Sequence, residues 1–252
     1  MMDNNQYWKL MWHLRYVESL IENVADATAQ ENYCECPICK AKFPAFLPFS
    51  VPPLLPHPNS RCPNCGSLKR HRKLYLLMQK LDWHREGMRI LHFAPERTLF
   101  YFFNTFQDID YWPVDLNPKM YGVRKAVDIT DITFDDDSFD LIMCTHVLEH
   151  IPDDRKAMSE LYRVLKPKTG IAFLNVPIFN NPTTLENPEY NTPELRRKYY
   201  GQADHVRAYG FDYPDRLRAA GFNVRLFEDI DDKDLKRYGI NKNEQIFWCR
   251  KE

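Results

Sequence analysis

The stretch from Ser138 to Pro152 reads SFDLIMCTHVLEHIP, and it decides the fold of this chain. The segment at residues 140–145, whose apolar run ends at Cys144-Thr145, has the length and composition of a buried strand. A polar exit follows at His146, and the helix start after Pro152 has Asp153 as its expected N-cap. The stretch therefore predicts a strand that leads through a short polar turn into a helix.

The flanking residues extend this pattern into an α/β sheet. Apolar residues recur at helical spacing over 155–165, and a KPKTG turn at 166–170 leads into a strand at 171–176. Further strand-like segments lie at residues 89–94, 111–115, 125–129, 140–145, 223–228 and 245–250, and helical patterns lie at 73–85, 98–106 and 214–220. Strands that alternate with helices predict a parallel sheet with helices on both faces, closed by an antiparallel edge formed by the last two strands.

Composition and charge limit the classes of function. The chain has 252 residues, a hydrophobic fraction of 44% and a formal net charge of −1, which gives no general attraction to nucleic acid or to anionic membranes. No apolar run approaches the roughly 20 residues that a membrane-spanning helix needs. The first residues also lack the apolar run of a signal peptide, so we expect a cytoplasmic protein without a membrane span.

Three regions follow one another along the chain. Apolar residues at helical spacing over 5–28 predict an N-terminal helix, which we place within residues 1–30. Residues 31–71 are rich in proline and cysteine and predict a small zinc-ribbon-like module with little regular structure. Residues 72–252 carry the α/β pattern, with a long insert at 178–212 between the fifth and sixth strands.

Two C-P-x-C knuckles make the cysteine-rich module a metal-site candidate. They supply Cys36 with Cys39 and Cys62 with Cys65, and each knuckle aims two thiolates at one ion. Four cysteines complete a tetrahedral zinc site and leave no open position, so we expect structural zinc and no catalysis there. Cys34 is either a substitute ligand or a nearby thiol.

A short basic run, KRHRK at residues 69–73, follows the second knuckle. One interpretation is a phosphate-binding patch for nucleic acid. The other is that its cations neutralise the doubly negative thiolate site and line a solvated helix start. We favour the second interpretation because the run is short and the chain is neutral overall, which argues against nucleic acid as a partner.

The motif from His146 to His150 also fits the H-x-x-E-H pattern of inverted zinc peptidases. In those enzymes the motif lies on a helix, with a distant second carboxylate as a further ligand. Here the motif follows a predicted strand and precedes the helix. The setting therefore argues against a peptidase.

Three segments together resemble the class I S-adenosylmethionine-dependent methyltransferases: FDDDSFD at 134–140, HVLEHIP at 146–152 and ELYRVLKP at 160–167. The similarity is to the small-molecule branch that includes the ubiquinone-pathway O-methyltransferases, and it extends over residues 87–250. The resemblance implies a Rossmann-like sheet of seven strands that binds S-adenosylmethionine at the carboxyl ends of its first strands. Open α/β sheets bind ligands at that edge in general.

The resemblance also assigns cofactor contacts. The residues expected to make them are His92, Phe93, Ala94, Glu96, Asp115, Leu116, Asp128, Ile129 and Thr145. Asp115 would accept both ribose hydroxyls, and Asp128 would accept the adenine amino group while Ile129 packs on the ring. The family usually has an acidic residue and glycines at the first strand and its turn. This chain has His92 and then Ala94 to Glu96 there, so Glu96 is expected to meet the ammonium group of the cofactor.

Methyl transfer to a hydroxyl needs a group that removes a proton. His146 lies at the exit of the fourth strand, where the family faces its acceptor, and it is the candidate base. His205, within the insert, is a second candidate. Arg207 is expected to hold a carboxylate or phosphate of the substrate, with Tyr209 beside it.

A second metal site is a further hypothesis from the resemblance. In some relatives, including small-RNA 2′-O-methyltransferases, an E-x-x-E-H motif at this place binds a divalent ion beside the acceptor hydroxyl. His146, Glu149 and His150 fill those positions here, and His205 could supply a fourth ligand. The alternative is that Glu149 and His150 only cap and pack the helix start.

The sequence as a whole predicts a methyltransferase that uses S-adenosylmethionine to methylate a hydroxyl of a small molecule or glycan. One alternative is an RNA methyltransferase that uses the zinc module and the basic run at 69–73 as a clamp. The other is a binding protein without catalysis on a methyltransferase scaffold, because the first turn lacks its glycines. The pattern does not decide the oligomeric state.

Overall fold

The computed structural model of the chain describes residues 14, 17, 18, 33–49 and 56–252. The predicted N-terminal helix over residues 5–28 lies outside the described residues, apart from three of its positions. No helix in the described part of the chain is both long and apolar enough to cross a bilayer.

The chain divides into two units. The first comprises Met1–Trp83 and Glu228–Glu244, and the second comprises His84–Phe227 and Gln245–Glu252. The sequence placed residues 228–244 within the methyltransferase region, whereas the structure groups them with the cysteine-rich module.

The elements are labelled in chain order. The strands are β1 (Cys34–Glu35), β2 (Lys42–Phe43), β3 (Leu47–Phe49), β4 (His57–Arg61), β5 (Arg89–Phe93), β6 (Asp110–Asp115), β7 (Lys125–Ala126), β8 (Leu141–Thr145), β9 (Ile171–Asn175), β10 (Asn223–Leu226) and β11 (Phe247–Arg250). The helices are α1 (Lys69–Lys80), α2 (Arg97–Phe103), α3 (Asp154–Val164), α4 (Pro193–Tyr200), α5 (Tyr213–Ala219) and α6 (Asp232–Arg237), with a 3-10 turn at Leu148–His150.

Arg72 on α1 explains why residues 228–244 belong to the first unit. Its side chain is fully buried, and its guanidinium donates hydrogen bonds of 2.6–3.0 Å to the carbonyls of Ser60, Ser67, Tyr238 and Gly239. Two of these carbonyls flank the second cysteine knuckle, and the other two follow α6. A buried guanidinium needs several acceptors, and here acceptors from both segments supply them.

The second unit is built on a seven-stranded sheet in the order β10-β11-β9-β8-β5-β6-β7. Parallel pairs join β7 to β6, β6 to β5, β5 to β8 and β8 to β9. β11 runs antiparallel to both β9 and β10. The predicted α/β class, its seven strands and its antiparallel closing edge are therefore confirmed.

The strand and helix of the opening stretch form as predicted. All five residues of β8 are buried, as are all five of β9, which explains why both segments are apolar up to their last residues, Thr145 and Asn175. The N-cap Asp153 accepts a hydrogen bond of 3.0 Å from the backbone N–H of Lys156. The buried face of α3 consists of Ala157, Met158, Leu161 and Val164.

β7 is shorter than the predicted strand over 125–129. Asp128 leaves the strand because its carboxylate accepts hydrogen bonds of 2.8 Å from the backbone N–H and the hydroxyl of Thr130. Such a local side-chain cap competes with strand pairing. The chain therefore turns at Asp128, while Ile129 still enters the core.

Candidate functional site

Three parallel strands bring the predicted cofactor residues to one edge of the sheet. Phe93 at the end of β5 is in register with Val114 of β6 and with Cys144 of β8. Ala94, which follows β5, and Asp115, the last residue of β6, therefore lie along the same carboxyl edge. In open parallel sheets this edge is the place where ligands bind.

The turn after β5 has the backbone shape of a glycine loop without the glycines. Ala94 has φ of 45°, a left-handed conformation that a side chain disfavours. Its N–H donates a hydrogen bond of 2.9 Å to the carbonyl of Val114, which fixes the turn against β6. Glu96 is the N-cap residue of α2, and its Oε2 accepts a hydrogen bond of 3.1 Å from the hydroxyl of Thr145. Glu96 and Thr145 thus contact each other at the carboxyl edge, as expected if both contact the cofactor.

Two predicted cofactor contacts have a packing role instead. His92 is buried within β5, where Nδ1 hydrogen-bonds the hydroxyl of Tyr111 at 2.8 Å and the ring packs edge-on against Phe103. The side chain of Phe93 lies in the hydrophobic core. The structure therefore corrects the expectation that these two side chains contact the cofactor: they point to opposite faces of the sheet, and the protein buries both.

The two aspartates of the predicted site differ in how many hydrogen bonds their carboxylates already accept within the protein. Asp115 accepts a hydrogen bond of 2.7 Å at Oδ1 from the backbone N–H of Asn117, and Oδ2 has no partner among the described residues. Leu116 beside it is 71% exposed, which makes it an apolar surface at the edge. The hydrogen bonds from Thr130 lower the pKa of Asp128, so that carboxylate is charged and locally capped. Ile129 is buried, which restricts its contact with a bound ring.

His146 stands at the exit of β8. It has φ of 55°, and its N–H donates a hydrogen bond of 2.8 Å to the carbonyl of Asn175 at the end of β9. About a third of its side chain (34%) is exposed, and its Nδ1 lies 3.4 Å from Oε1 of Glu149. A strained residue that neighbouring strands hold in place is typical of functional sites.

Glu149 is a buried carboxylate without hydrogen bonds. Its side chain is 2% exposed, and neither oxygen accepts a hydrogen bond from any described residue. Its ligand oxygen, together with one ring nitrogen each of His150 and His205, forms a group whose atoms all lie within 4.8 Å of one another. Burying a carboxylate in this way is costly unless a cation or a donor compensates it.

The two histidines differ in how they are held. Nδ1 of His205 donates a hydrogen bond of 2.8 Å to the carbonyl of Tyr200, which leaves Nε2 as a lone-pair atom with no partner in the described chain. Burial lowers the pKa of His205, which favours this neutral form. Nδ1 of His150 lies 3.3 Å from Oδ2 of Asp204, and the two rings stand perpendicular with centroids 4.8 Å apart. The structure thus brings together three of the four predicted metal ligands, with His146 in contact with Glu149.

Arg207 and Tyr209 do not face a substrate. Both are buried, and the guanidinium of Arg207 donates hydrogen bonds to the carbonyls of Leu148, Ile151 and Pro152. The hydroxyl of Tyr209 donates one of 2.7 Å to Asp154, and burial raises its pKa. The prediction that these residues bind substrate is therefore corrected: they hold the turn that carries Glu149. Sequence reasoning missed this role because a cation that pairs with carbonyls leaves no sequence signal.

The four predicted cysteines form a compact group in the first unit. The Sγ atoms of Cys36 and Cys65 are 3.6 Å apart, and those of Cys39 and Cys62 are 3.8 Å apart. Zn–S bonds of about 2.3 Å give a tetrahedron with edges of about 3.8 Å, so the group fits zinc. A hydrogen bond from Cys65 lowers the pKa of Cys36 to about 4, which favours the thiolate that zinc binds. Cys34 stays apart, with its Sγ 3.4 Å from Oδ1 of Asn59.

The basic run at 69–73 is largely buried. His71 accepts a hydrogen bond of 3.1 Å at Nδ1 from the backbone N–H of Leu68, Arg72 is saturated with carbonyls, and Lys73 donates to the carbonyl of Glu244. The run is therefore not the solvated helix start that the sequence suggested. Burial lowers the pKa of Arg72 to about 10, which is still well above neutral pH, so the guanidinium remains charged beside the cysteines.

Comparison with known proteins locates the methyltransferase pattern. Residues 97–173 match the family model described as a methyltransferase domain. A demethylmenaquinone methyltransferase of Clavibacter sepedonicus is 50% identical over 105 residues, which cover 42% of this chain and 36% of that protein. The chain thus spans about a third of the length of this curated relative.

Solved structures match less closely. The YcgJ protein of Bacillus subtilis aligns with a TM-score of 0.49 and 17% identity, over 72% of this chain and 99% of its own. Phosphoethanolamine N-methyltransferase 2 of Haemonchus contortus, in complex with S-adenosyl-L-methionine, aligns with a TM-score of 0.49 and 14% identity, over 72% of this chain and 52% of its own.

Proposed function

Because residues 97–173 match a methyltransferase-domain model, we propose that this protein transfers a methyl group from S-adenosylmethionine to a hydroxyl of a small molecule or glycan. One observation carries the proposal: the glycine-like turn at Ala94, the carboxylate of Asp115 and the imidazole of His146 lie at the carboxyl edge of adjacent parallel strands. Part of this edge belongs to the segment that matches the family model.

The residues present fit the cofactor. Oδ2 of Asp115 is available to the ribose hydroxyls, and the exposed side chain of Leu116 offers an apolar surface to adenine. The left-handed turn at Ala94 would let the backbone approach the methionine portion of a bound cofactor, and the carboxylate of Glu96 is suited to its ammonium group. When bound, the cofactor supplies an electrophilic methyl group on its sulfonium.

His146 is the group proposed to remove the acceptor's proton. It is partly exposed at the edge, and the 3.4 Å contact with Glu149 orients its ring. His205 is buried, so we propose that it acts through Glu149 rather than on the acceptor. An imidazole is suited to a hydroxyl acceptor because its proton affinity matches neutral conditions.

We also propose two metal sites. The cysteine group of the first unit would hold structural zinc. Glu149, His150 and His205 would bind a second divalent cation, which would compensate the buried carboxylate and lower the pKa of an acceptor hydroxyl nearby. The burial of the basic run removes support for the alternative of a clamp on RNA.

Calorimetry with S-adenosylmethionine tests the proposal directly. We expect the wild type to bind the cofactor, Asp115→Ala to weaken binding by tenfold or more, and Asp135→Ala, an exposed control, to leave it unchanged. Transfer of labelled methyl groups to a panel of hydroxyl-bearing metabolites and glycans then identifies the acceptor. Absence of cofactor binding at millimolar concentration would refute the proposal and favour a scaffold without catalysis.

A further inference from the structure

A surface cavity of about 330 Å³ lies in the second unit, away from the proposed active site. It is lined by Lys168, Asn223, Arg225, Trp248, Arg250, Lys251 and Glu252. Lys168 precedes β9, whereas the proposed active site follows the other ends of the parallel strands. Five residues of β9 span roughly 16 Å, so a ligand in the cavity is distinct from the methyl acceptor.

The cavity has an excess of unpaired positive charge. Lys168, Arg225 and Arg250 form no ion pair with a carboxylate of the described residues, in contrast to Lys251, which donates to Asp137. Glu252 is the acidic side chain in the lining, and it accepts a hydrogen bond from Asn223. Three cations that pair with no carboxylate of the described residues thus line the cavity, and bringing them close together is unfavourable unless an anion neutralises them.

The two arginines are held in place by a shared aromatic ring. Arg225 on β10 is in register with Trp248 on β11, and Arg250 lies two residues beyond Trp248 on the same strand face. The guanidinium carbons of Arg225 and Arg250 lie 5.4 and 5.3 Å from the centroid of the indole. Aromatic contacts order the side chains and leave their N–H groups free to donate.

A backbone hydrogen bond fixes the turn that carries Lys168. Lys168 has φ of 63°, and its N–H donates a hydrogen bond of 2.7 Å to the carbonyl of Lys251. This turn places Lys168 at the end of β11, next to the two arginines. Two planar guanidinium forks and one ammonium group form a donor set suited to phosphate oxygens.

We propose that this cavity is a binding site for a diphosphate group. Two phosphates carry the negative charge that three unpaired cations require, and their oxygens accept bidentate hydrogen bonds from Arg225 and Arg250. The volume lies at the lower end of the range of about 300–1,000 Å³ for small-molecule sites, which suits a compact phosphorylated ligand.

Calorimetric titration with inorganic pyrophosphate and with a nucleoside diphosphate at physiological salt tests this site. We expect the full chain to bind both, and Arg225→Gln and Arg250→Gln each to weaken binding by about tenfold or more. The control is Arg218→Gln, which removes an exposed arginine of α5 that pairs with Asp215. All three variants should keep the melting temperature and the affinity for S-adenosylmethionine of the wild type.

The outcomes distinguish a specific diphosphate site from non-specific attraction between phosphate and surface cations. Equal affinities for the two ligands show that the diphosphate alone is recognised, and tighter binding of the nucleoside diphosphate shows that the attached group contributes as well. Equal losses in Arg218→Gln and the two cavity variants would overturn the proposal, as would no binding by the wild type. Because no step depends on methyl transfer, failure here leaves the proposed activity untouched.

Discussion

Replacing Glu149 by glutamine tests how this buried carboxylate is compensated. Without metal, a carboxylate that is 2% exposed and receives no hydrogen bond pays a desolvation cost of several kcal/mol, which the 3.4 Å contact with His146 offsets only in part. Glutamine has the same shape, and its amide costs about 1–3 kcal/mol to bury. We therefore expect Glu149→Gln to raise the free energy of unfolding by about 2 kcal/mol in buffer without added divalent metal, by the difference of these two costs.

Added metal should make the wild type more stable than the Glu149→Gln variant, which reverses the order expected without metal. A cation that binds the native state stabilises it by about 2.7 kcal/mol at a hundred times its dissociation constant. The wild type gains this amount through Glu149, His150 and His205, whereas the glutamine variant loses its one anionic ligand and gains little. For a domain of this size, a gain of that magnitude corresponds to about 5–10 °C in melting temperature.

Differential scanning calorimetry with and without Mn²⁺ measures both effects. Mn²⁺ prefers oxygen and imidazole ligands, so it leaves a zinc ion on the cysteines in place. Glu189→Gln, an exposed control, should behave like the wild type in both buffers. If the wild type is the more stable protein without metal and Mn²⁺ shifts neither melting temperature, Glu149 serves only the helix start, and the reasoning for a second metal site fails.

Four further substitutions, one of them a control, test other parts of the structure. Ala94→Gly should raise the free energy of unfolding by about 0.5–1 kcal/mol, since relief of a left-handed alanine (about 1–2 kcal/mol) exceeds the added freedom of the unfolded chain. The control, Ala219→Gly in α5, should lower the free energy of unfolding by a similar amount. Melting temperatures that shift in the same direction for both variants would contradict the prediction. His146→Ala should keep the affinity for S-adenosylmethionine within about twofold and lower turnover by about 10²–10⁴ in a labelled-methyl assay; full turnover would remove it as the base. Arg72→Met should lower the free energy of unfolding of the first unit by about 3–5 kcal/mol. It should also speed hydrogen exchange in both the cysteine knuckles and residues 228–244. Unchanged exchange in residues 228–244 would show that Arg72 does not hold this segment.

Much of the sheet could be predicted because burial on both faces leaves a strong sequence signal. β8 and β9 are apolar runs up to their last residues, and each is followed or preceded by a turn signal that sets its bounds. Asp153 was predictable as an N-cap because capping depends on local sequence. β7 was predicted too long because Asp128 ends the strand through its own hydrogen bonds, which compete with pairing in a way that the apolar pattern does not record.

The site was harder to predict because residue type does not reveal burial. His92 and Arg207 were assigned to ligands as polar residues in functional segments, yet tertiary packing buries both and supplies protein partners for them. The same holds for Arg72, whose acceptors at Tyr238 and Gly239 lie far away in the sequence. A buried cation that pairs with backbone carbonyls has no characteristic spacing, so it could be identified only from the fold.

The buried arginine of the insert also explains how the strand exit keeps its geometry. The turn after His146 offers the carbonyls of Leu148, Ile151 and Pro152 to Arg207, and the guanidinium ties this turn to the insert. His205 lies two residues before Arg207, so the residue that fixes the turn also brings the imidazole to Glu149. The insert at 178–212 is therefore part of the same constellation as the strand exit. In the proposed site, the segment that resembles a peptidase motif therefore supplies one half of the residues, and the insert supplies the other half.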